Sequence, residues 1–507
     1  MNARIFTVFL TFLATLPAAA QTPIGIFESE TDIGTLSHPG ASEYDAAKKT
    51  YTLTSSGENM WADEDDFHFV WKKVTGDITL TADISFPATT GNAHKKGVLM
   101  ARRSLDKDSD YVDAAFHLAG LTSLQSRDQK GATTREVQSY ISSPKKLRLA
   151  KRGNYFFMYV AGADGVFHLS GGSMKLALDQ PFYVGIGACA HDKDATEKVT
   201  FSNVDLTSGP ASTGTPKLFS TLEAVPVQST DRRAVHVTEG KLEAPVWNKD
   251  GKTLLFDSDG HIMKIPAAGG APEPLKTGGL DRNGIHFGIS PDGTKLALTE
   301  ESKNKATIYV APVDGGSPKA VTKLSPSWFQ SWAPDGKTIL LTGRRKVSKL
   351  DKLTDAAIGV IDNRLEMYTI PVKAGLETSL NAGEGTNPVY SPDGKYIYFD
   401  STRGTGIRQI WRMLADGTKP EQVTTDDFVN WHPHVSPDGT QVAFLTCDKA
   451  LGDKPEFKDI KVRSLVFADR TIRVISNLYG GEGTFGTNPW SPDSKTLSYV
   501  SYQMIPQ

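Results

Sequence analysis

The chain has 507 residues, with 56 Lys+Arg against 58 Asp+Glu and a formal net charge of −2. Hydrophobic residues make up 39% and charged residues 22%, which excludes wholesale disorder, and the near-neutral balance gives no basic field for nucleic acid or anionic lipid. Two cysteines, Cys189 and Cys447, exclude a disulfide scaffold or a thiolate zinc cluster and read as buried free thiols.

The first twenty residues read as a secretory signal peptide. Arg4 precedes the apolar run Ile5 to Leu16, and Pro17-Ala18-Ala19-Ala20 supplies an Ala-x-Ala end before Gln21. Cleavage near Ala20 predicts a periplasmic or secreted protein, and no later run approaches the length of a membrane span. Residues 22–207 then alternate polar and apolar positions between turns. Asp77 to Phe86, Gly97 to Ser104, Tyr111 to Gly120, Lys146 to Ala161 and Phe182 to Ala190 are the clearest segments. Period-two patterning over many short strands predicts a β-sandwich. Within it the acidic cluster Asp63 to Asp66 is either a Ca2+ candidate or an ordinary charged turn. Residues 208–217, SGPASTGTPK, are small and turn-forming and read as a linker.

From 218 to 507 one phrase recurs: WNKDGK, SPDGTK, APDGKT, SPDGKY, SPDGTQ and SPDSKT. Successive Asp residues lie 42, 43, 58, 45 and 55 positions apart, a period near 43 with two insertions. Pro pre-sets the first central position of a turn, Asp suits the next, and Gly closes it. Alternating strands follow each turn, four per unit, which is the blade of a β-propeller. Six phrases predict six blades, with the outer strands of the last supplied by Ser229 to Gly240. The basic stretch Gly343 to Lys352 and the segment Asp448 to Asp459 fall in the insertions and read as loops on one face.

These phrases resemble the WD40-like (PD40) repeat of TolB-like periplasmic propeller proteins, with WHPHVSPDGTQVAFLT and YGGEGTFGTNPWSPDSKTLSYVSY carrying the similarity. TolB places a small α/β domain ahead of its propeller; here the preceding half is all-β. The order GVLMARRSLDKDSDYVDAAFH, LRLAKRGNYFFMYV, FYVGIGACAHDK resembles concanavalin-like sandwiches, including the accessory domain of β-xylosidases. The resemblances imply an all-β chain: a concanavalin-like sandwich followed by a six-bladed TolB-like propeller.

Chemistry-bearing residues cluster just before the turns. His432 and His434 lie two apart on one strand and so face the same way, with His286 at a comparable place in another blade. Gln330, Asn387 and Asn488 stand at the same level. Neutral imidazoles converging from several blades could hold a divalent metal, so His286, His432 and His434 form the metal alternative to a site with no cofactor. HPH before a P-D-G turn is similar to oligogalacturonate lyases, which implies a lyase alternative. Trp332, Trp411 and Arg408 suit sugar rings and their hydroxyls, the competing reading being that these tryptophans pack between blades. The sequence has no G-x-S-x-G elbow, P-loop, H-E-x-x-H or dinucleotide fingerprint. The residues therefore favour binding over catalysis, with a glycan or polysaccharide fragment as ligand. A metal-dependent lyase or hydrolase and a docking scaffold for a periplasmic protein are the alternatives.

Overall fold

The computed structural model describes residues 23–506 apart from 211, 230, 279, 281–285, 303–304, 346, 351–356, 361–364, 374 and 405. For 347–350 and 357–360 only the backbone is described. The signal-peptide segment and most of the basic insertion Gly343 to Lys352 lie outside the described residues or side chains. The fold is all-β; two short 3-10 turns are the only helices among the described residues.

The N-terminal half is two antiparallel sheets closed over a shared core, with strands such as Asp77–Ser85 burying alternate residues, while the strands Lys96–Arg102, Tyr111–His117 and Thr122–Arg127 are buried on both faces. Asp77–Ser85 sends Ile78, Leu80, Ala82 and Ile84 inward, where they meet Leu99, Val112 and Ile186 of the opposite sheet. The predicted segment Lys146 to Ala161 is a hairpin, Lys146–Arg152 against Tyr155–Ala161. The acidic cluster is structural: Arg127 clamps Asp65 from Nη1 at 2.9 Å and from Nη2 at 2.8 Å, and Asp66 accepts the Thr35 N–H. Cys189 and Cys447 are buried free thiols.

In the C-terminal half the turn phrases act as the sequence implies. Asp292 Oδ1 accepts hydrogen bonds from the Ser290 hydroxyl at 2.5 Å and the Thr294 N–H at 3.0 Å. These bonds hold its carboxyl at about 2. The closing glycine adopts left-handed backbone, as at Gly439 with φ 71°. Each turn launches a strand whose apolar side chains pack between neighbouring blades.

Five free-standing four-stranded sheets form blades, and this corrects the expectation of six. The sixth phrase launches Thr496–Ile505, whose inner neighbour shrinks to a single bridge, Trp490 to Leu497. On its other side it pairs with Lys217–Pro226, which pairs with Arg232–Glu239. The chain continues past a blade there, because Arg232–Glu239 still has an open edge and finds a parallel partner in Arg135–Gln138. A ten-stranded sheet therefore runs from the N-terminal half into the propeller. Leu497 and Tyr499 pack on Trp431 of the fifth blade, while Val500 and Tyr502 pack on Leu242 and Trp247 of the first. The strand Thr496–Ile505 thus closes the ring.

Deleting 220–240 is expected to abolish the single cooperative melt of the propeller; an unchanged calorimetric transition would contradict closure by this segment. Gly439→Ala meets nothing within 4 Å. Its cost should therefore be the left-handed backbone alone, about 1 kcal/mol in urea unfolding.

Candidate functional site

The innermost strand of four blades carries a bulge shortly before its turn. Register shifts fall between Glu243 and Val246, Phe329 and Ser331, Thr386 and Val389, and Trp431 and His434. At three of them a non-glycine residue takes left-handed backbone: Ala244 at φ 53°, Asn387 at 50° and His432 at 57°. Such positions cost about 1 kcal/mol each and re-aim the side chains around them. The re-aimed groups converge on the channel. His286, Gln330, Asn387, His432 and His434 border one narrow cavity with Glu482, and its volume of about 10 Å3 is room for about one water.

The imidazoles are in unusual surroundings. His432 and His434 stand with ring centres 4.9 Å apart, and both face the Phe485 ring. Both nitrogens of His434 and Nδ1 of His432 are buried with no hydrogen-bond partner among the described residues. Burial lowers all three imidazoles, His286 to about 4 and His434 well below the ordinary value, and the neighbouring His432 adds to the effect at His434. They are neutral at pH 7. Among the described residues, however, no group of three or more His, Cys, Asp or Glu is placed to hold a metal. The alternative of His286, His432 and His434 as a ready ligand set therefore finds no support in their geometry.

Behind the cavity lies a buried ionic network. Asp400 is fully buried; burial pushes its carboxyl up, but Lys454 and Arg408 with hydrogen bonds from Thr386 and the His432 N–H outweigh that and keep it an anion. Asn387 Nδ2 donates to Asp400 Oδ1 at 3.0 Å and Arg408 Nη1 to Oδ2 at 2.8 Å. Arg408 also grips both oxygens of Asp453 at 2.7 Å, so its guanidinium is committed and positions the wall of the site. Lys454 donates to Thr386 at 2.9 Å and to Glu482 at 3.4 Å. The second insertion, Asp448 to Asp459, is therefore tied into the site. Glu482, Thr487, Asp400 and Lys454 were not singled out from sequence; the P-D-G register marks only inner strands, and three of these lie off it.

A wider cup of about 390 Å3 opens toward the turns, sharing Val389, His434 and Thr487 with the narrow cavity. Its wall includes one repeat position from each of five blades, three residues before the turn aspartate: Trp247, Ile289, Trp332, Tyr390 and Val435. The prolines of five turns, 291, 334, 392, 437 and 492, form its exposed rim. Trp332 and Asn488 belong to this cup. The two GTNP phrases are not equivalent, since Asn387 precedes Ser391 by four positions and Asn488 precedes Ser491 by three. Asn488 accordingly reaches the cup while Thr487 takes its place in the cavity.

The aromatic platform is weaker than expected. Trp332 is 7% exposed and donates to the Gly288 carbonyl of the adjacent blade at 2.9 Å. Trp411 lies on a third strand beneath Arg403, away from the channel. For these two the packing reading holds.

With the fold and the channel defined, this is an all-β protein with a propeller whose channel is walled by repeat positions. No known family profile matches the chain. The uncharacterized protein Atu1656 of Agrobacterium fabrum is 35% identical over 301 residues, 59% of this chain and 96% of that protein. A solved structure of a TolB-like protein from Agrobacterium tumefaciens superposes with a TM-score of 0.51 at 34% identity, covering 57% of this chain and 99% of that one. Dipeptidyl-peptidase 5 of Porphyromonas gingivalis is 23% identical over 323 residues, 51% of this chain and 46% of the peptidase. The chain belongs to the TolB-like propeller family that the two Agrobacterium proteins represent.

The neutral histidines give a signed pH dependence. Their folded values lie below the unfolded value of about 6.5, so unfolded chains take up protons first as pH falls. Stability is complete above about 6.5 and is lost toward the folded values, reaching about 4 for His286. Melting temperature should decline between pH 6.5 and 4, and His434→Leu should remove part of the decline. An identical pH profile in the variant would contradict a buried neutral His434.

Proposed function

We propose that this is an exported, periplasmic TolB-like binding protein whose ligand enters the turn-face cup. The observation that carries this reading is the cup itself: five blades present the same repeat position around about 390 Å3, a volume suited to small ligands. A glycan or polysaccharide fragment is the favoured ligand. Tyr390 offers a partly exposed ring for stacking, and the exposed Asn488 and Lys249 supply hydrogen-bonding groups elsewhere in the same lining. The family relationship and the Ala-x-Ala leader support export, and a concanavalin-like reading of 22–207, ahead of a propeller over 218–507, supports a carbohydrate setting. No helix among the described residues is long and apolar enough to cross a membrane.

A lyase or hydrolase is less well supported, because the histidine-lined cavity admits about one water and neither nitrogen of His434 has an orienting partner among the described residues. A specific observation favours docking of a periplasmic protein as the second reading: the five rim prolines are all exposed and form an apolar ring.

A glycan array probed with the mature chain separates the two. Retention of a glycan class, weakened about tenfold by Tyr390→Ala, is expected for the first reading. No retained glycan, together with a protein captured from periplasm only when Pro334 and Pro392 are intact, would replace it with the second.

A further inference from the structure

The outer strands of the fifth blade, Lys458–Val466 and Ile472–Gly480, do not face open solvent throughout. Part of their length faces the N-terminal half, and the two are fastened there by few side chains. The Tyr155 hydroxyl donates to Asp459 Oδ1 at 3.1 Å, Lys175 pairs with the other oxygen of Asp459, and the Tyr155 and Tyr479 rings meet edge-on at 6.1 Å. Deeper in, Arg232 grips both oxygens of Glu223 at 2.6 and 2.7 Å and donates to the Asn477 carbonyl. Between these fastenings lies a cleft of about 360 Å3.

Its lining combines three kinds of group. Met174, Ile460, Ile475 and Leu478 make a buried apolar floor, with the partly exposed tyrosine rings beside it. Ser126, Ser173, Ser476 and Asn477 supply hydroxyl and amide groups. Charge is one-sided: Arg135, Lys175, Arg232 and Lys461 against Asp459 alone. Asp459 neutralises Lys175 and Glu223 neutralises Arg232. Arg135 is exposed and has no carboxylate partner among the described residues, and Lys461 rests 5.4 Å above the Phe428 ring, a contact that leaves its charge uncancelled.

We propose that this cleft is a second binding site, for a short acidic oligosaccharide. A planar guanidinium matches a carboxylate in bidentate fashion, tyrosine faces match sugar rings, and the serines match ring hydroxyls. The limited volume of the cleft suits a short fragment over a long polyanion, in keeping with a chain whose net charge is −2. The site is independent of the channel, since the cleft and the cup share no lining residue.

The test is calorimetric titration of the full mature chain with three probes: a mannuronate trisaccharide, its methyl ester and sodium sulfate. The acid should bind, and the uncharged ester should bind at least about tenfold more weakly. Arg135→Ala and Lys461→Gln, both at accessible positions, should each weaken the acid about tenfold at unchanged melting temperature, while Tyr390→Ala in the cup leaves it unchanged. Equal binding of acid and ester, wild-type affinity in Arg135→Ala, sulfate binding as tightly as the trisaccharide, or no heat with any probe would each overturn the proposal. Loss of acid binding in Tyr390→Ala alone would overturn it too, by moving the ligand to the channel.

Discussion

The structure depends on one pairing made across most of the chain: Thr496–Ile505 against Lys217–Pro226, with Leu222 opposite Val500. A propeller leaves two open ends, and each open end presents unpaired backbone groups that cost free energy when buried and invite foreign strands when exposed. Joining the last strand to the segment ahead of the first blade satisfies both. It also fills the gap between blades one and five with Val500 and Tyr502 on one side and Leu497 and Tyr499 on the other. The neighbouring Glu223–Arg232 pair, bidentate and buried, fastens the same strand to Arg232–Glu239, the strand that pairs with Arg135–Gln138 of the N-terminal half. Breaking either partner of such a pair strands a charge in the interior, so the junction is committed to one arrangement.

Closure is what gives the channel its chemistry. Each blade contributes one bulge or one pre-turn residue, and only a completed ring brings His286, Gln330, Asn387 and His432 to a common cavity. The left-handed backbone at Asn387 and His432 is a local cost, and the network of Asp400, Arg408, Asp453 and Lys454 holds it in place. The result is a narrow polar throat under a wider apolar cup: a shape for holding a ligand at the mouth, with little space at the histidines for a reacting one.

Much of this was legible in the chain. The P-D-G phrases specify turn chemistry at fixed offsets, so blades, inner strands and the pre-turn histidines could be located by counting. The segment Ser229 to Gly240 was expected to supply the missing outer strands; Lys217–Pro226 pairs directly with Thr496–Ile505, and Arg232–Glu239 lies one strand further out. Counting failed where identity depends on pairing. Six phrases gave five separate blades, because the edge of Arg232–Glu239 finds Arg135–Gln138, a partner about a hundred residues earlier that carries no repeat signal. The tryptophans misled for a related reason, since a Trp before a turn looks the same whether its face meets solvent or the next blade. Glu482 and Lys454 were invisible because loops contribute them, and their meaning lies in Asp400, a residue that reads as an ordinary strand end.

Native-state hydrogen exchange tests the dependence on closure most directly. The amides of Leu222 and Val500 should exchange only with the global opening that also releases Leu255 in the first blade and Phe444 in the fifth, at one common free energy. Rapid exchange at Leu222 and Val500 while both blades stay protected would show that the ring stands without its closing pair, and would contradict the account.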